Sequence, residues 1–239
     1  AIMVIKTDRR AYSGTMTESQ IDLGLRSYML RVYNYMASGL ALTGIVAWVM
    51  ADTGLAEALM RSGIGFIVML APLGIVFFMG IKIQNMKAST AQTLFWVFSI
   101  LMGASLSYIF LVYTGADIMR VFFITCGLFG AMSLYGYTTK RSLAKWGSFL
   151  FMGLIGVVIA SIVNAIWYDG VMSLVISVVG VIVFTGLTAY DTQRIKQTYA
   201  ETDGQALMLK KSVMGALSLY LNFINLFIML LHLFGGARE

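Results

Sequence analysis

Charge is scarce in this sequence. Only 12% of its 239 residues are Asp, Glu, Lys or Arg, whereas 59% are hydrophobic, and the mean hydropathy is +0.83. A soluble domain is about a quarter charged and about half apolar. A chain of soluble domains is therefore excluded, and no polar stretch is long enough to fold as one. Cysteine is limited to Cys126, which excludes a disulfide within the chain. Cys126 lies in an apolar run and reads as a small buried hydrophobe, not a redox centre. His232 is the sole histidine and cannot build a His-rich metal site. Neither GxSxG nor HExxH occurs, so hydrolytic chemistry has no anchor and the chain is not read as an enzyme. No basic stretch is long enough, or interleaved with aromatics, to form a nucleic-acid surface. The first thirty residues are polar and mixed in charge, which predicts no cleavable signal peptide.

The sequence does contain long, continuous apolar runs. Continuous apolar runs, as opposed to alternating ones, predict helices as the spanning elements. Seven are expected, at about 35–51, 64–81, 93–113, 118–137, 148–167, 171–191 and 213–234. Each is near the roughly 20 residues that cross the hydrocarbon of a bilayer. The fold class is thus an all-α, seven-helix integral membrane protein embedded in lipid. Residues 1–34 are expected to form an N-terminal tail, ending in a short interfacial helix in which Ile21, Leu25, Tyr28, Met29 and Val32 share a face. Residues 35–239 form the transmembrane domain. Pro72 falls inside the second run, where it frees a carbonyl and favours a kink.

Basic residues set the orientation. With the N-terminus inside, 14 of the 17 Lys and Arg residues fall on inner segments; Arg61, Arg120 and Arg238 are the other three. Such a bias in short loops predicts a cytoplasmic N-terminus and an outer C-terminus. Fourteen basic against six acidic residues leave +8 inside, and three against five leave −2 outside. The inner charge is accounted for by topology and anionic lipid. Gly39, Gly44, Gly127, Gly130, Gly153, Gly156, Gly180 and Gly186 are expected at close helix contacts. Trp48, Tyr113, Trp167 and Tyr168 stand near span ends as interface anchors.

Polar groups at membrane depth are costly and mark candidate sites. Two readings of Asp191 stand side by side. In one, the sixth helix ends near Tyr190 and Asp191 opens a solvated basic loop. In the other, the helix continues through YDTQRIK, which has no Gly or Pro to stop it, and Asp191 faces other helices. Asn222 and Asn225 share a face of the seventh helix; they either tie helices together by hydrogen bonds or line a wet path. Asp117 and Arg120, three apart, are expected to pair at the outer end of the fourth helix with little energetic weight.

The phrases VFTGLTAYDTQRIKQ and SLYLNFINLFIMLLHLFG resemble the closing two helices of the transmembrane Bax-inhibitor-motif family, also called the Bax inhibitor-1 family. The resemblance extends over the seven-span plan, and the chain looks like a bacterial member. It implies a bundle with the seventh helix central, in the bacterial inner membrane. It also implies a pH-sensitive calcium leak, with calcium as the transported ion and no cofactor. The family's gate is an aspartate on each of the last two helices, sharing a proton and linked to a basic residue at the end of the second helix. Asp191 matches the first aspartate, Lys82 is the nearest match to the basic residue, and the second aspartate is replaced by Asn222. An amide supplies no second titrating group, so the family's proton-sharing pair is absent at these positions. The resemblance further implies roles in stress tolerance and a membrane-bound AAA protease as a partner. A non-conducting regulator that binds such a protease, or another membrane protein, is the second reading.

Overall fold

The computed structural model describes residues 18–236. The expected tail over residues 1–17, and the terminal Arg238 and Glu239, lie outside the described residues. Among the described residues the secondary structure is helical: α1 (Glu18–Asp52), α2 (Leu55–Arg61), α3 (Gly65–Lys82), α4 (Ala88–Leu106), α5 (Ile109–Val112), α6 (Gly115–Thr138), α7 (Ala144–Ile166), α8 (Gly170–Thr198) and α9 (Gln205–Phe234). Among these residues seven segments are long and apolar enough to cross a membrane, with α4 and α5 acting as one. In lipid no water satisfies the backbone, so such runs must close their hydrogen bonds internally as helices.

Several boundaries differ from expectation. The stripe from Ile21 to Val32 does not form a separate interfacial helix: α1 runs unbroken from Glu18 to Asp52. Tyr28, Met29 and Val32 of that stripe are buried in the core, and Leu25 packs partly buried against it. Helix α9 begins at Gln205, eight residues before the expected position. Its early turns carry Lys210 and Lys211, which hydropathy assigns to a loop. Pro72 sits inside α3 without dividing it. The short α2 was not expected; it follows a turn in which Gly54 adopts φ 74°, a conformation glycine reaches without a Cβ penalty.

Helix α9 packs against α8, α1, α6 and α4, whereas α7 rests on α8 and α3 on α4. Two-thirds of the apolar window of α9 is buried (67%), against 11% for α7, which presents most of its surface outward. Tyr220 of α9 anchors the core. Its ring meets Phe98 edge-on at 5.0 Å and Phe95 at 6.3 Å, and its hydroxyl lies 2.6 Å from Thr43 Oγ1 of α1. Thr43 in turn donates to the Ser99 carbonyl of α4 at 2.8 Å. Three helices are thereby joined by one buried hydroxyl relay.

The glycines divide unevenly. Gly39, Gly153, Gly180 and Gly186 are closely covered by side chains of neighbouring helices, as expected. Gly44, Gly127, Gly130 and Gly156 face no close neighbour, so helix approach is not their role. The closest approach to another helix's backbone falls at Gly136, where a Cβ would strike the Ala189 backbone of α8.

Candidate functional site

Helix α8 continues seven residues beyond Asp191 to Thr198, a further rise of about 10 Å. Of the two readings of Asp191, the structure therefore supports the helical one. Asp191 is 8% exposed and Asn222, across from it on α9, is 5% exposed. The Asn222 amide donates to Asp191 Oδ2 at 2.8 Å. The other carboxylate oxygen, Oδ1, lies 2.8 Å from Arg194 Nη2, one turn further along α8. Arg194 Nη2 also donates to Ser218 Oγ of α9 at 3.2 Å, and the guanidinium lies 5.8 Å from the Tyr190 ring centre. Each carboxylate oxygen thus has one donor, one neutral and one cationic.

A buried ionised carboxylate is costly unless paired and hydrogen-bonded. Here the pairing is asymmetric. Asn222 is buried and fixed, whereas the Arg194 side chain is 52% exposed. Arg194 can therefore move away from the carboxylate more readily than Asn222 can.

Two hydroxyl relays flank this contact. On one side is the Thr43–Tyr220 relay described above. On the other, Tyr33 of α1 lies 2.5 Å from Ser133 of α6, which lies 3.1 Å from Thr192 of α8, the residue after Asp191. Thr185, two turns before Thr192, has a buried hydroxyl with no hydrogen-bond partner among the described residues. Gln193 fixes the α6–α7 connection by donating to the Arg141 carbonyl at 3.0 Å and accepting from Leu143 N–H at 2.8 Å. Asp191 is therefore surrounded by residues that hold α1, α6, α7, α8 and α9 in register.

The other expected site residues are placed differently. Asn225 donates to the Leu221 carbonyl of its own helix at 2.8 Å and makes no bond to another helix among the described residues. Lys82 is exposed at the end of α3, and no ion pair joins it to Asp191 among the described residues; that cation is Arg194. Asp117 and Arg120 pair at 3.1 Å as expected, but the pair does more than expected. Arg120 also donates to the Phe234 carbonyl, and Asp117 accepts from Gly236 N–H, so the pair clamps the end of α9 to the start of α6. Among the described residues no three His, Cys, Asp or Glu side chains gather as a metal-holding group.

Arg194 and Ser218 are the site residues that sequence reasoning missed. The i, i+3 spacing of Asp191 and Arg194 was a usable signal once helix is assumed there. Ser218 stands one turn before Asn222 and carried none.

A seven-span helical bundle with a buried carboxylate–amide contact between its last two helices defines a class of polytopic membrane proteins. A sequence model of the family described as "Inhibitor of apoptosis-promoting Bax1" matches residues 25–239, and the chain belongs to this Bax1-I family. It is 47% identical over 235 residues to protein RP147 of Rickettsia prowazekii, covering 95% of this chain and 99% of that one. It is 46% identical over 219 residues to the inner membrane protein YbhL of Escherichia coli, covering 90% and 94%. A Caulobacter vibrioides protein is 42% identical over 241 residues, covering 96% of each.

Proposed function

We propose that this protein is a calcium-permeable leak pathway of the bacterial inner membrane, held closed by the contacts around Asp191. The observation that carries the reading is the buried Asp191 carboxylate within a membrane helix, bonded to Asn222 of the adjacent helix and to Arg194. An ionisable group at such a position is a functional site by default, because a core without it would be less costly. Inner-membrane placement is supported by the name of the YbhL relative and by the seven apolar spans.

The closed state follows from energetics. A transmembrane potential moves a cation inward by about 2.3 kcal/mol per charge per 100 mV, and a divalent ion by twice that. An open path would dissipate the gradient, so the resting bundle must be closed. Breaking the Arg194 contact would expose a carboxylate facing the end of the bundle that carries the α8–α9 loop. Asn222, unlike a second aspartate, cannot share a proton with Asp191, so gating here works through movement of Arg194 and not through a carboxylate pair.

The test is calcium flux into vesicles that contain only the purified protein. Flux above that of empty vesicles is the expected result. Flux equal to empty vesicles, with a membrane protease or other membrane protein co-purifying from cells, supports the non-conducting regulator in its place.

A further inference from the structure

A cavity of about 510 Å³ opens beside the Asp191 contact, at the end of the bundle that carries the α8–α9 loop. Arg194, Lys210 and Lys211 line it, together with the polar groups of Tyr28, Thr198 and Ser218. The three cations are not equally committed. Lys211 is paired with Asp203 and also donates to the Thr198 carbonyl. Lys210 donates to the Gln84 carbonyl at 2.9 Å and has no carboxylate partner among the described residues. Arg194 uses Nη2 for Asp191 and Ser218, while its Nε and Nη1 groups donate to no described residue. A half-exposed guanidinium with two uncommitted nitrogens and an ammonium without a carboxylate partner therefore face one cavity, whose remaining lining includes the apolar Ile83, Ile195, Leu207 and Met214.

We propose that this cavity binds a phosphate group, carried by an anionic phospholipid headgroup or present as free phosphate, between Arg194 and Lys210. A guanidinium fork matches phosphate oxygens in a planar, two-point contact, and lysine adds a point charge; either fork of Arg194 pairs a free nitrogen with Nη2, which now serves Asp191 and Ser218. Basic pockets between membrane helices suit anionic headgroups. A phosphate held by a fork of Arg194 therefore competes with Asp191 for Nη2. Resting on the leak reading above, occupancy weakens the Asp191–Arg194 contact and raises calcium passage. Binding itself does not depend on that reading.

Native mass spectrometry of the protein in detergent, with added phosphatidylglycerol or phosphatidylcholine, separates the possibilities. Wild type retains phosphatidylglycerol over phosphatidylcholine. Lys210→Gln retains on the order of fivefold less phosphatidylglycerol, the weight of one basic residue near an anionic surface. Lys140→Gln, which changes an exposed lysine of the α6–α7 connection outside the cavity, retains as much as wild type. Displacement by inorganic phosphate shows that the phosphate alone suffices; no displacement assigns the site to the lipid headgroup. Equal retention by wild type and Lys210→Gln, or no preference over phosphatidylcholine, overturns the site. In vesicles, phosphatidylglycerol raises wild-type calcium flux severalfold, and Lys210→Gln loses most of that increase. An undiminished increase in Lys210→Gln overturns the coupling, while an absence of flux in every vesicle refutes the leak and leaves the retention result standing.

Discussion

Asn222 gives Asp191 a neutral donor where a second carboxylate would bring a competing charge. Replacing it should reveal that difference. Asn222→Ala leaves one oxygen of a buried carboxylate without its donor and should cost about 1.5–3 kcal/mol, the range for hydrogen bonds to charged groups. Arg194→Gln should cost less, about 1 kcal/mol or under, because an exposed cation is screened by solvent. Thermal unfolding in one detergent ranks the two, and the reverse order would contradict the asymmetry seen at the site. Asn222→Asp places two carboxylates at a contact that is 2.8 Å in the native protein. Two carboxylates there cannot both ionise without repulsion, and protonating one relieves it. The variant should be least stable relative to wild type at pH 8, and the gap should narrow as pH falls toward 5. A gap that is constant with pH would show that residues 191 and 222 do not share a proton in the variant.

Helix approach sets the register that brings Asp191 to Asn222. The tightest backbone contact between helices is Gly136 of α6 against Ala189 of α8, two residues from Asp191. Backbone cannot yield as a flexible side chain can. Gly136→Ala should therefore cost about 1–3 kcal/mol through overpacking. Gly130→Ala, on the same helix but facing no close neighbour, should change stability by under about 0.5 kcal/mol. Equal effects would mean that the α6–α8 contact is not tight at Gly136. The same comparison shows what the sequence could reveal. Both glycines lie in one apolar run, and nothing local distinguishes the packed one from the open one. Helix ends were legible only where apolar residues met loops. The first turns of α9 and the last turns of α8 are polar, and they become helical through packing against α1 and against each other. Hydropathy therefore placed those ends seven or eight residues short. The Thr43–Tyr220 bond joins residues 177 apart, and neither hydroxyl interrupts an apolar pattern, so no reading of spacing could pair them.

At the scale of the whole chain, the spans were legible because lipid imposes one length and one composition on each of them. The pairing of Asp191 with Asn222 came from family resemblance, since the two stand 31 apart on separate helices. The expected orientation rests on the distribution of basic residues. A reporter active only outside the cytoplasm should work when fused after Glu239 and fail when inserted near Lys145; the opposite pattern would invert the bundle. The central claim is that contacts around Asp191 hold a calcium path closed. The most direct measurement is calcium flux into vesicles containing purified wild type or Asp191→Asn, with folding of the variant checked by thermal unfolding. The variant keeps the side-chain shape and removes the charge that holds Arg194. Basal flux in the variant should exceed wild type severalfold, and flux equal to wild type in a folded variant would contradict the claim.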